Sequence, residues 1–151
     1  LWNLSGQWVG YQQYRPFASK TCRNDPREGR YFTWAKNRLA VWGLETWDFR
    51  PDVLFLTEGV FDACKLHNLG LPAVAVLAND PKSLRPWLGS LARVTVAVCD
   101  DDAAGAKLGR LCDRSVTTQG GKDLGDMTLD QVREFVSKLF PNLMRNCNGP
   151  T

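Results

Sequence analysis

The chain has 151 residues, of which 44% are hydrophobic and 23% are charged, and its formal net charge at pH 7 is +3. This length and composition suit one soluble globular domain with a small appendage, and they exclude collagen-like and intrinsically disordered classes. No apolar run approaches the roughly 20 residues of a transmembrane helix, and no signal sequence is recognisable, so we expect a cytoplasmic protein without a membrane span.

Cysteine and histidine usage limits the redox and metal chemistry that we expect. The chain has five widely spaced cysteines and a single histidine, without any Cys-x-x-Cys pair. An odd number of scattered cysteines predicts reduced thiols rather than a disulfide framework. The scarcity of sulfur and imidazole ligands predicts that this chain holds no zinc.

Positive charge is concentrated at the front of the chain. Residues 1–50 contain eight Lys/Arg against four Asp/Glu, whereas residues 51–151 contain eleven against twelve. Segments 7–15 and 31–39 are rich in aromatic and basic residues, lack helical periodicity and are separated by an Asn-Asp-Pro turn signal. We therefore predict a small basic subdomain of short strands and loops over residues 1–50. Its charge fits either a solvated surface or a polyanionic partner.

A regular alternation of strand and helix patterns follows. Strands are predicted in VLFLT, PAVAVLA, RVTVAVC and RSVTTQ, and helices over 61–70, 83–92, 103–112 and 129–139. Gly70 is predicted to terminate the first helix and Ser83 to cap the second. Continuous apolar strands separated by helices are typical of a parallel sheet covered on both faces. We predict an α/β domain over residues 51–139, followed by a tail over 140–151.

Acidic residues stand immediately after three of these strands. Glu58 follows the first strand, DDD of residues 100–102 follows the third, and Asp123 closes a Gly-Gly-Lys-Asp segment after the fourth. The carboxyl ends of parallel strands meet at one edge of the sheet, so these carboxylates should converge. They would repel one another unless divalent cations neutralise them, and oxygen ligands favour Mg²⁺ or Mn²⁺. The sequence therefore predicts a metal site for phosphoryl transfer.

Two neighbouring acidic residues receive other interpretations. Side chains of an extended segment alternate, so Asp100 and Asp102 are expected to point the same way and Asp101 elsewhere. Asp62, in the first turn of the first helix, is interpreted as a residue that balances the helix dipole.

The acidic motifs resemble those of the Toprim family. Thr57-Glu58-Gly59 after an apolar strand, and DDDAAG of residues 100–105 after a later one, are similar to its Glu-Gly and Asp-x-Asp-x-Ala-Gly signature. GGKDLGDM of residues 120–127 resembles the version found in DnaG-type DNA primases of bacteria and phages. The front zone is similar to the basic subdomain that precedes Toprim in these primases, through residues 6–11, Arg15, residues 30–32 and residues 41–44.

The resemblance implies a primase catalytic core that synthesises short RNA primers on single-stranded DNA from nucleoside triphosphates. Glu58, Asp100 and Asp102 would be catalytic, and together with Asp123 they would bind two Mg²⁺ or Mn²⁺ ions. Nucleotide or template phosphates would contact a set of basic residues, namely Arg15, Arg30, Lys36, Arg38 and Lys122. Further implied partners are a replicative helicase and a zinc-binding template-recognition domain, in the same chain or in another.

Two other functions fit the same residues. In a Toprim nuclease the same metals would activate water instead of a 3′-hydroxyl. A non-catalytic Toprim module would bind nucleic acid within a repair or replication assembly. A topoisomerase is disfavoured, because it needs a tyrosine nucleophile and a second domain, and the chain has only Tyr11, Tyr14 and Tyr31.

Overall fold

The computed structural model describes residues 1–36, 39–46, 52–77, 81–118 and 122–143. In these ranges the strands are β1 (Gly10–Tyr14), β2 (Tyr31–Ala35), β3 (Val53–Thr57), β4 (Ala73–Ala75), β5 (Val94–Cys99) and β6 (Arg114–Thr117). The helices are α1 (Val60–His67), α2 (Arg85–Ser90), α3 (Ala103–Gly109) and α4 (Leu129–Leu139). None of the described helices is long and apolar enough to cross a bilayer.

Four strands form a parallel sheet in the order β4-β3-β5-β6. Every residue of β3 is buried, because its uninterrupted apolar sequence VLFLT is covered on both faces of the sheet. Strand β5 is buried along all but its first residue. The predicted α/β class, a parallel sheet flanked by helices and preceded by a small strand-rich segment, is confirmed.

The core divides into two clusters, one on each face of this sheet. Phe55 and Val96 pack with residues of α1 and α4, including Leu66 and Val136. The alternate positions of the strands, such as Leu54, pack with residues of α2 and α3 in the second cluster. Burying both faces in this way holds the strand ends in a fixed order at the sheet edge.

The helices begin close to their predicted starts, but α1 and α3 end at His67 and Gly109, each three residues before the predicted end. Helix α4 has the predicted bounds and begins with a capping box between Thr128 and Gln131. Gly70 has the left-handed φ of 73° expected of a residue that terminates a helix. The prediction for Ser83 is wrong, because a 3₁₀ turn already begins at Pro81 and places Ser83 inside the turn, so that α2 starts at Arg85.

The front of the chain is an antiparallel hairpin of β1 and β2 that is joined to the sheet through Trp42. The backbones of Trp42 and Ala75 exchange two hydrogen bonds of 3.0 Å, which adds a bridge to the edge strand β4. The Trp42 ring also stacks on His67 of α1 with the ring centroids 5.2 Å apart. The boundary predicted near residue 50 lies outside the described residues, as does most of the predicted tail, and both stay predictions.

Candidate active site

Two of the acidic residues leave the sheet from neighbouring strands. Strands β3 and β5 pair in parallel with Thr57 opposite Val98. Glu58 follows β3 directly and Asp100 follows β5 directly. Both carboxylates therefore lie at the carboxyl edge of the sheet, where the loops of a parallel sheet form a crevice.

A cavity of about 390 Å³ opens at this edge. Its lining includes all three consecutive aspartates together with residues from the segment after β6, namely Asp100, Asp101, Asp102, Lys122 and Asp123. Asp101 borders the same cavity, and the prediction that its side chain points away from those of Asp100 and Asp102 stays a prediction.

Asp102 is held in place by the helix that it caps. Its Oδ1 accepts hydrogen bonds from the backbone N–H groups of Ala104 at 2.8 Å and Gly105 at 2.9 Å. These bonds satisfy two of the free donors at the start of α3. One carboxylate oxygen thus fixes the orientation of the side chain, and the other stays available at the cavity.

Glu58 is half-buried beside the same carboxylates. Burial raises its pKa, and the charges of Asp100 and Asp102 raise it further, while a hydrogen bond from the backbone of Asp100 acts in the opposite direction. Its Oε1 is buried and has no hydrogen-bond partner among the described residues. A buried carboxylate oxygen without a donor is costly, so a cation or a proton would stabilise it.

The positive charge of Lys20, in the front segment of the chain, influences the Asp100 carboxyl at this edge of the sheet. Burial raises the pKa of Asp100, and the charges of Asp123 and Asp102 add to the shift, whereas the charge of Lys20 lowers it. Sequence reasoning missed Lys20, because it lies in the hairpin loop, eighty positions before Asp100. No local pattern relates the two residues, and only the folded chain brings their charges together.

The buried Asp62 pairs with the carboxyl group of Asp123, which is itself exposed. Oδ2 of Asp62 accepts a bond from the Gly59 N–H at 3.2 Å, and its Oδ1 accepts one from the Gly125 N–H at 2.8 Å. Burial and a hydrogen bond to Asp123 raise the pKa of Asp62 to about 8. The same hydrogen bond lowers the pKa of Asp123, so the more buried Asp62 keeps the shared proton.

The interpretation of Asp62 as a residue of the first turn captured only part of its environment. Its bond to Gly59 belongs to the start of α1, but its second oxygen joins α1 to the loop that carries Asp123. Glu58 precedes the N-cap Gly59 and lies outside α1, so no helical periodicity in the sequence relates it to Asp62.

The chemistry of these side chains fits a hard divalent cation. They offer only oxygen atoms, burial and their mutual proximity raise the pKa of Glu58 and Asp100, and Glu58 has an unsatisfied buried oxygen. In the part of the chain that the structure describes, however, no three His, Cys, Asp or Glu side chains are arranged to hold a metal ion. The charges of these carboxylates influence one another, and the metal site itself stays a prediction.

The basic residues implied by the resemblance fall into two places. Lys122 lines the acidic cavity. Arg15, Arg30 and Lys36 belong to the hairpin, where Arg30 Nε donates to the Ala18 carbonyl at 3.1 Å and Lys36 is exposed. Arg38 lies outside the described residues.

Comparison with known proteins yields one similar structure. The chain is similar to the RNA polymerase domain of the Mycobacterium tuberculosis primase DnaG, solved with a double-stranded DNA oligomer that has a 6-nucleotide overhang. The identity is 19% and the TM-score is 0.58, over 89% of this chain and 50% of that chain. This chain therefore spans about half the length of its structural neighbour. No family model and no curated protein matches the sequence.

Proposed function

We propose that this chain carries the Toprim-type catalytic site of a DNA primase, which joins nucleoside triphosphates into short RNA primers on single-stranded DNA. One observation carries the proposal. Glu58 and Asp100 directly follow neighbouring strands of the parallel sheet, and the charges of Asp100, Asp102 and Asp123 add to the burial that raises the pKa of Glu58. The fold that brings them together is similar to a primase RNA polymerase domain.

In this proposal the acidic residues have distinct tasks. Asp100, Asp102 and Asp123 hold Mg²⁺ or Mn²⁺ at the cavity, with Asp102 oriented in advance by its bonds to the start of α3. The bound ions would neutralise the triphosphate and stabilise an in-line transition state. Glu58 is a further ligand, or it accepts the proton of the attacking 3′-hydroxyl, a task that a raised pKa favours.

The basic residues would bind the substrates. Lys122 lines the cavity with the aspartates, and Lys20 is close enough to Asp100 to shift its pKa, so both suit contacts to a triphosphate. Arg15, Arg30 and Lys36 on the hairpin, with Arg38 by resemblance, would contact template phosphates. A zinc-binding template-recognition domain and a replicative helicase would complete the machinery.

A primer-synthesis assay tests the proposal. The chain is incubated with single-stranded DNA, labelled nucleoside triphosphates and Mg²⁺ or Mn²⁺, and short RNA products are expected. Asp100→Ala should lower their yield by more than about 100-fold, since even outer-shell partners of metals cost 10–100-fold. Asp130→Ala is the matched control, because it removes an exposed carboxylate of α4 that pairs with Arg133 at 2.8 Å. Metal-dependent shortening of the DNA would contradict the primase and indicate a nuclease. Binding of the strand without any product would indicate a non-catalytic module.

A further inference from the structure

The hairpin of β1 and β2 presents aromatic side chains on the face that points away from the sheet. Tyr11 pairs with Trp34 and Gln13 with Phe32, and because side chains alternate along strands, these four residues share one face, the outer face. The opposite face carries Tyr14 and Tyr31. Their rings contact Phe61 of α1 with centroids 5.0 and 6.3 Å apart, so that face is the one turned towards the parallel sheet.

The rings of the outer face form a partly exposed ladder. Tyr11 and Trp34 stack with centroids 6.0 Å apart and an interplanar angle of 28°, and Phe32 meets Tyr11 edge-on at 6.3 Å. Tyr11 is 46% exposed and Trp34 is 47% exposed. Exposed aromatic side chains that lie next to one another form a contiguous apolar patch, the kind of surface that binds a partner.

Positive charges flank this ladder at both ends. The strand hydrogen bonds continue from Arg15 N to Arg30 O at 2.8 Å and from Lys36 N to Val9 O at 2.9 Å. The same alternation then assigns Arg15 and Arg30 to one end of the outer face and Lys36 to the other. Nη1 of Arg15 is buried without a hydrogen-bond partner among the described residues. Residues 1–36 contain six Lys/Arg against two Asp/Glu, so the whole hairpin segment is basic.

We propose that the outer face binds single-stranded nucleic acid by stacking unpaired bases on Tyr11, Phe32 and Trp34, while Arg15, Arg30 and Lys36 contact the phosphates. Stacked rings next to cations suit unpaired bases, whose π-faces a duplex would hide. A second copy of this chain would bring the same positive charge to the contact, which disfavours pairing of two outer faces. The inference rests on the proposed function in taking nucleic acid as the partner, and it adds a stacking subsite outside the acidic cavity.

Abasic oligonucleotides provide the direct test. Binding of the unaltered chain to a deoxythymidine oligonucleotide is compared, by fluorescence anisotropy, with binding to an abasic oligomer of equal length and phosphate number. Stacking should favour the strand with bases by about 5- to 150-fold for each base engaged. Equal affinities would overturn the inference, and this comparison needs no variant that has to fold.

Variants then locate the subsite. Trp34→Ala should weaken binding of the deoxythymidine strand by about 5- to 150-fold and leave the abasic strand unchanged, and Trp34→Phe should restore most of the loss. Phe17→Ala is the matched control, since Phe17 is a fully exposed aromatic of the hairpin loop at 102% relative exposure. An equal effect of Phe17→Ala, or dimerisation of the chain that Trp34→Ala abolishes, would overturn the assignment.

The outcomes separate this inference from the proposed function. Base-dependent binding that needs Trp34, without primer synthesis, would support the stacking subsite and contradict the proposed primase activity. If primer synthesis needs Asp100 but its yield is the same with abasic and with normal flanking strands, the primase activity would be supported and the stacking subsite contradicted.

Discussion

Replacing Gly105 by alanine should displace α3 from the strand end that carries Asp100. A Cβ atom at Gly105 would collide with the backbone carbonyl of Asp100 and lie 3.0 Å from Cβ of Cys99. Backbone cannot swing aside as a flexible side chain does, so the helix has to shift. Overpacking costs about 1–3 kcal/mol, and a collision with backbone belongs at the upper end of that range.

The helix propensity of alanine offsets part of this cost. Alanine is favoured over glycine in a helix by about 1 kcal/mol, so the net loss of unfolding free energy should be about 2 kcal/mol. Gly89→Ala in α2 is the matched control, because no heavy atom lies within 4 Å of its added Cβ. That variant should gain up to about 1 kcal/mol, which separates the two variants by about 3 kcal/mol.

Urea unfolding followed by circular dichroism measures both variants. Gly105→Ala should also reduce primer synthesis although every carboxylate remains, since Asp102 moves with the helix that it caps. If Gly105→Ala proves as stable as Gly89→Ala, the close packing of α3 against the end of β5 is refuted.

Three further changes have defined outcomes. The pKa of Asp62 is raised in the folded state to about 8, so folded protein binds more protons than unfolded protein between about pH 4 and pH 8. Stability therefore falls across that range, and the contribution of Asp62 is lost as the pH rises through 8. Asp62→Asn cannot titrate, so in chelator-treated protein it should reduce the fall of the unfolding free energy with rising pH by at least about 2 kcal/mol. An unchanged fall would contradict the assignment of the proton to Asp62. Asp100→Asn should raise the unfolding free energy of chelator-treated protein by about 0.2–1 kcal/mol, because it relieves the screened repulsion from Asp123 and Asp102. The same variant should lose the stabilisation that added Mg²⁺ gives the unaltered chain. A thermal shift with Mg²⁺ as large as in the unaltered chain would contradict this. Thr128→Ala should cost about 1 kcal/mol by urea unfolding, because Thr128 Oγ1 accepts the Gln131 N–H at 3.3 Å at the start of α4, and a loss near zero would show that this cap contributes nothing.

The parallel sheet and its helices could be predicted because their signals are local. All residues of β3 (VLFLT) and β5 (VTVAVC) except Thr57 and Thr95 are apolar, as is typical of strands buried on both faces, and these strands occupy the centre of the sheet. Helix α4 has a Thr-x-x-Gln cap and an apolar stripe that includes Val132 and Val136, and both its ends match the prediction. Acidic residues directly after strands were placed at one edge by topology alone.

The remaining features depend on contacts between distant segments. The action of Lys20 on Asp100 and the pairing of Asp62 with Asp123 join residues about eighty and sixty positions apart, and no periodicity encodes them. The aromatic outer face became visible only when the hairpin register paired Tyr11 with Trp34.

Binding of Mn²⁺, followed by the electron paramagnetic resonance signal of the free ion, tests the metal site most directly. We expect saturable binding that Mg²⁺ displaces, that Asp130→Asn leaves unchanged, and that Asp100→Asn weakens by about 10- to 100-fold. Equal Mn²⁺ affinity in the unaltered chain and in Asp100→Asn would contradict the metal site, because the carboxylate that directly follows β5 would then hold no ion.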